Sequence, residues 1–136
     1  AQYPREVAAL RSRGAERDGL LDVTDGDNEG LGTTRQQFRG ALERAEMAAV
    51  GPAERIAILV PTWSIETWLL ALNGAEGLTE DRSHKFDWEH RTRRKEERRQ
   101  LLRVARQRWL DEPEACTLPS YVDGRQELAR LEPGKP

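Results

Sequence analysis

The 136-residue chain has one cysteine, Cys116, one methionine and two histidines, and only 6% of its residues are aromatic. A lone cysteine excludes an internal disulfide and any cysteine-rich zinc site. Long hydrophobic runs are missing too: no stretch approaches the ~18 apolar residues of a membrane helix, so no membrane partner is expected. The opening residues Ala1 to Glu6 lack a basic-then-apolar order, so a secretory signal is not expected in them, and a cytoplasmic, bacterial-type protein is. With 37% apolar and 34% charged residues, there is material for one compact unit with a modest core.

Charge is abundant and unevenly placed. The net value of -2 hides a segment, 85–108, that holds ten Lys/Arg against Asp87, Glu89, Glu96 and Glu97. The remainder carries 12 basic and 20 acidic residues. One basic segment on an acidic body suits a polyanionic partner, and it equally suits a solvated helix face.

Hydrophobic spacing and turn chemistry place the elements. A helix is expected over 4–13, with Pro4 in its first turn and Gly14 at its end. A strand over 20–24 is closed by the Asp-Gly-Asp-Asn-Glu-Gly run. Thr33 or Thr34 can cap a helix reaching Val50, with a stripe of Phe38, Leu42, Ala45 and Ala49. The apolar run at 56–60 has the character of a strand buried on both faces. Ser64 can cap a helix over 65–72, after which 74–85 is loop. A long helix is expected over 88–110, with Leu101, Leu102, Ala105 and Trp109 facing inward. Its first half, 91–99, has no apolar residue and must face solvent or a polar partner. An irregular stretch at 118–122 and a helix over 123–131 complete the chain.

This order predicts an α/β fold: a small parallel sheet with crossover helices, plus a long C-terminal basic helix. The core is expected over 1–82, with a helical extension over 83–136. The strands at 20–24 and 56–60 should be parallel neighbours, with the helix at 34–50 crossing between them in the right-handed sense. Two strands alone make too small a sheet, and a further strand in front of Ala1 is the favoured completion.

Parallel strands gather their sites at their carboxyl ends. Asp25 and Asp27 follow the first strand, and Glu66 falls in the first turn of the helix after the second. Carboxylates converging without His or Cys suit Mg²⁺ or Mn²⁺. Asp25 and Asp27 can reach one ion, with Gly26 letting the backbone turn. The same residues also read as ordinary turn composition, and Glu66 as an acid favoured at a helix start.

The run from Leu20-Leu21-Asp22-Val23 through Thr24-Asp25-Gly26-Asp27-Asn28-Glu29-Gly30 resembles the Asp-x-Asp motif of the Toprim domain, found in topoisomerases, primases and OLD-family nucleases. It is similar to the Thr-Asp-x-Asp-x-Glu-Gly form of type IA topoisomerases. The segment from Val60 to Leu70, with Glu66 and Trp68, is similar to a strand-then-Glu-x-Trp segment of RloB-like Toprim proteins. The resemblance covers about residues 15–72 and, more loosely, Leu118-Pro119-Ser120. It implies a Toprim fold, Mg²⁺ (or Mn²⁺) held by Asp25 and Asp27, catalytic assistance from Glu66, and nuclease-like phosphodiester hydrolysis on nucleic acid. It also implies a further glutamate ending a preceding strand, which nothing here matches: Glu6 and Glu16 lie in helical or polar surroundings. The alternative is a catalytically silent Toprim-fold binding or assembly module.

Arg91, Arg93, Arg94, Lys95, Arg98 and Arg99 are the candidate nucleic-acid contacts, since arginine-rich charge suits phosphate. Glu96 and Glu97 are spaced to neutralise Arg93, Arg94 or Arg99 instead. Trp68 and Trp109 are assigned to the core, and Trp88 to packing or to a stacking platform. His84, His90 and Cys116 receive no role.

Overall fold

The computed structural model describes residues 2–13 and 18–132. Gly14 and Glu16 lie outside the described residues. Helix α1 (Gln2–Arg13) leads to strand β1 (Leu20–Val23), helix α2 (Gly30–Arg44) and strand β2 (Ile56–Leu59). Helices α3 (Ile65–Leu72), α4 (Lys85–Arg91), α5 (Lys95–Asp111) and α6 (Pro119–Leu128) follow, with 3₁₀ turns at Pro113–Ala115 and Ala129–Leu131. None of the described helices is long and apolar enough to cross a membrane.

The two strands pair in parallel, with Leu20 opposite Ile56 and Val23 opposite Leu59. Among the described residues these are the only strands in the sheet. All four residues of β2 are buried, which accounts for its unbroken apolar sequence. Ile56 and Ile58, with Val60 beyond the strand, face a cluster with Tyr3, Val7, Leu10 and Leu42. Ala57 and Leu59 face a second cluster with Trp68, Leu72, Ala105, Cys116 and Tyr121. On that side Trp68, Trp109 and Tyr121 form an aromatic trio with ring centroids 5.3–6.3 Å apart. The Arg125 guanidinium lies 4.5 Å from the Trp109 centroid.

Helix α2 departs from expectation at both ends. It starts at Gly30 rather than Thr33 or Thr34, because Gly26 O accepts from the Glu29 and Gly30 amides and the turn feeds straight into the helix. It stops at Arg44 rather than Val50. Glu46 takes a φ of 56° and the Met47 amide returns to Leu42 O at 2.9 Å, a left-handed cap on a non-glycine residue. Ala45 and Ala49 therefore lie past the helix and are exposed.

The single helix expected over 88–110 is two helices. The Thr92 hydroxyl donates to Trp88 O at 2.7 Å, and Arg94 is extended before α5 begins. The break lets Trp88 bury in α4 while α5 packs on α3. Leu102, expected inside, is 40% exposed. The helix expected over 123–131 begins earlier, at Pro119, with proline in its first turn.

Ser120 ties this last helix to the body. Its hydroxyl accepts from Trp68 Nε1 at 2.9 Å and from the Thr62 amide at 3.3 Å. The hydroxyl also donates to the Glu80 carboxylate, which accepts the Ser120 amide at 2.8 Å. A Cβ on Gly124 would meet Trp68 Cη2 at 2.8 Å, so α6 can approach this ring only through glycine. A Cβ on Gly32, in α2, would meet nothing within 4 Å. Gly124→Ala should therefore destabilise by about 1–3 kcal/mol through overpacking. Gly32→Ala should stabilise by roughly 0.5–1 kcal/mol through helix propensity. Urea unfolding midpoints at constant slope measure both.

Candidate functional site

The strand pairing continues past β1 and β2. The Thr24 amide donates to Leu59 O at 2.9 Å and the Gly26 amide to Pro61 O at 2.8 Å. The Trp63 amide then returns to Asp27 O at 3.2 Å, forming an antiparallel bridge between Asp27 and Trp63. The Asp-x-Asp segment is thereby held against the β2–α3 junction by backbone bonds.

Gly26 serves a different purpose from the expected turn. It is buried, and an added Cβ would meet Val60 Cγ1 at 3.2 Å and Pro61 O at 3.3 Å. Glycine is needed there for close approach of the two backbones. The left-handed conformations lie at Asp27 (φ 44°), Gly30 (φ 81°) and Trp63 (φ 64°). Aspartate tolerates that region, but for tryptophan it costs about 1–2 kcal/mol. Two such non-glycine residues facing each other concentrate backbone strain at this edge. The sequence has no signal for the strain at Trp63.

The acids come from both junctions. Asp25 Oδ1 accepts the Ile65 amide at 3.2 Å, so the carboxylate after β1 binds a first-turn donor of α3. Ser64, expected as the cap, makes no side-chain cap bond, and its buried hydroxyl has no partner among the described residues. Glu66 is in the first turn of α3 and is half-buried, whereas Asp25 and Asp27 are exposed. Burial raises the proton affinity of Asp25, the Ile65 hydrogen bond opposes it, and the charges of Glu66 and Asp27 raise it further. Lys85, at the start of α4, acts in the opposite direction. The Asp25 carboxylate is thus within electrostatic reach of both Asp27 and Glu66 at one edge. Among the described residues, however, no three His, Cys, Asp or Glu side chains are grouped as a ligand set.

The basic candidates are strung across the break between helices. Arg91 ends α4, Arg93 and Arg94 lie in the link, and Lys95, Arg98 and Arg99 lie in the first turns of α5. All six are exposed. Among the described residues none of them forms an ion pair, so the expected pairing of Glu96 and Glu97 with Arg93, Arg94 or Arg99 does not occur.

Other polar residues are occupied structurally. His84 is fully buried, with Nε2 3.1 Å from the Thr79 amide and Nδ1 3.3 Å from the Asp87 carboxylate. Burial pushes the Cys116 thiol up, which keeps it protonated and inert as a nucleophile. Trp88 is buried at 8% exposure, whereas Phe86 stands 76% exposed. Phe86 is the most exposed aromatic ring among the described residues, and nothing in the local sequence distinguishes it from a core residue.

The direction of the Asp25 shift sets a pH dependence. An aspartate whose folded pKa lies above its unfolded value binds its proton more tightly in the native state. Its ionised form therefore opposes folding at neutral pH, and that penalty vanishes as pH falls below the ordinary aspartate range. Asp25→Asn retains an acceptor for Ile65 and removes the charge. It should raise the melting temperature at pH 7, and the gain should disappear in acid. Thermal unfolding at the two pH values checks it; equal gains at both would show that charge is not the cause.

No family model matches the chain, and neither a curated protein nor a solved structure matches it.

Proposed function

We propose that the chain performs Toprim-type, metal-dependent phosphodiester chemistry on nucleic acid. The observation that carries this reading is the parallel β1–β2 pair. Its carboxyl-terminal edge joins Asp25 and Asp27 after β1 to Glu66 at the start of α3. The Asp25 carboxylate is partly desolvated and also lies within electrostatic reach of Glu66 and Asp27, and a divalent cation at this edge relieves both penalties. The all-oxygen donors fit Mg²⁺ or Mn²⁺.

Asp25 and Asp27 would hold the ion, with water completing the coordination. When bound, the ion supplies an activated water or stabilises the leaving oxygen of a phosphodiester. Asp25 is oriented by the Ile65 amide. Glu66 serves as a ligand or as the base that takes the proton from the attacking water. Arg91, Arg93, Arg94, Lys95, Arg98 and Arg99 hold the phosphate backbone and carry no sequence information.

A second reading, a catalytically silent binding or assembly module, is favoured by one observation: no third ligand joins the two aspartates among the described residues. Calorimetry with Mn²⁺ and nuclease assays with and without Mg²⁺ separate the two. The enzyme reading expects weak Mn²⁺ binding and Mg²⁺-dependent cleavage, both lost in Asp25→Asn/Asp27→Asn. Metal binding without cleavage supports the silent module, and unchanged Mn²⁺ binding in the double variant removes the metal site from both.

The basic residues make an independent prediction. Binding to duplex DNA should weaken with salt at a log–log slope of about -0.9 per phosphate neutralised. Arg94→Ala/Arg98→Ala should weaken all sequences alike and flatten the slope by about two units. Stability should hardly change, since both residues are exposed and unpaired.

A further inference from the structure

We propose that Phe86 is a base-stacking platform for single-stranded nucleic acid, set beside the arginines at the end of α4 and in the link to α5. The inference rests on the nucleic-acid reading above and names the form of the substrate.

Phe86 is the most exposed large hydrophobic side chain among the described residues, at 76%. Two positions along a helix point to nearly opposite sides, so burying Trp88 on the body turns Phe86 outward. No other aromatic ring contacts Phe86 among the described residues.

The surroundings of Phe86 define that occupant. A shallow hollow of about 500 Å³ is lined by Phe86, Asp87, His90, Arg91 and Arg93. Asp87 is turned toward His84 and Arg82, at 3.3 and 3.9 Å, whereas Arg91 and Arg93 have no acidic partner among the described residues. His90 and Arg91 also line a second hollow of about 820 Å³, where the acids Glu96 and Glu97 stand with Arg99 and Arg103. The ring is thus flanked by free cations.

An aromatic face surrounded by phosphate-binding charge is the combination that holds unpaired bases. In a duplex the bases are already stacked on one another, and the ring would have no face to meet. Charge complementarity disfavours a purely apolar peptide. A single strand satisfies both the ring and the arginines.

The test measures binding of the full chain, at low salt in a chelator so that no cleavage occurs. The probes are a fluorescent oligothymidylate of ~16 nucleotides and a hairpin duplex. Phe86→Ala should bind oligothymidylate about tenfold more weakly and the duplex as well as wild type does, with an unchanged melting temperature. Phe86→Trp should restore single-strand binding. Equal single-strand affinity in wild type and Phe86→Ala overturns the platform, as does an equal loss on both probes. So does a wild-type dimer in sedimentation that Phe86→Ala converts to monomer, which would make the ring a contact between copies. Wild type that binds neither probe overturns the platform and the basic track together. A wild type that binds the single strand through Phe86 but cleaves nothing when Mg²⁺ is added overturns the metal chemistry and leaves the platform standing, so the two failures are distinguishable.

Discussion

The hydrogen-bond ladder between β1 and β2 is the constraint on which the other features depend. It begins at the Leu20 amide on Arg55 O and runs past both strands to the Gly26 amide on Pro61 O. Because β2 is buried on both faces, its position is set by two separate apolar clusters, and β1 follows by register. The extension past the strands brings the Asp-x-Asp segment against the start of α3. Without it, Asp25 could not accept the Ile65 amide, and the acids of the two junctions would not sense one another. The close contact at Gly26 and the left-handed Asp27 and Trp63 are the local cost of holding two backbones this near.

The outer edge of β2 is closed by side chains in place of a further strand. Ile58 O accepts from Arg35 Nη2 at 3.0 Å, and the Ile58 amide faces Glu127 Oε1 at 3.4 Å. Arg35 itself bridges Asp123 and Glu127. These partly buried charges are tolerable because each is matched and hydrogen-bonded, and they satisfy backbone groups that would invite another strand. Among the described residues β1 has no neighbour on its other side, and its Leu21 and Val23 are 48% and 51% exposed. The sheet is thus finished on one side and open on the other.

The arginines divide into two groups by what they touch. Arg11 pairs with Glu54, Arg108 caps α3 through Leu72 O, Arg125 covers Trp109, and Arg130 reaches Gly51 O. These are bound into the fold. Among the described residues those from Arg91 to Arg99 pair with no acid, although Glu96 and Glu97 are within helical reach. Unpaired, exposed cations of this kind retain their full charge for a polyanion, which is the physical basis for proposing phosphate contacts for them.

The sequence by itself determined the elements whose signals are local. The unbroken apolar run of β2, the β1 strand closed by an aspartate–glycine turn, and the apolar helix after Ser64 are all where their composition puts them. The parallel pairing followed from their order, because one intervening helix leaves few other connections. Tertiary structure decided what depends on contacts distant in sequence. The break at Thr92 arises because Trp88 buries while the following basic turns remain in water, a compromise that helical periodicity does not encode. The end of α2 at Glu46 uses a left-handed residue where glycine would have been the only readable signal. Likewise, nothing between Lys85 and Arg91 tells which of Phe86 and Trp88 is buried; the packing of α4 against α3 decides it. The acids were legible as a motif. Their proximity was not, because it depends on a backbone ladder that joins segments some forty residues apart.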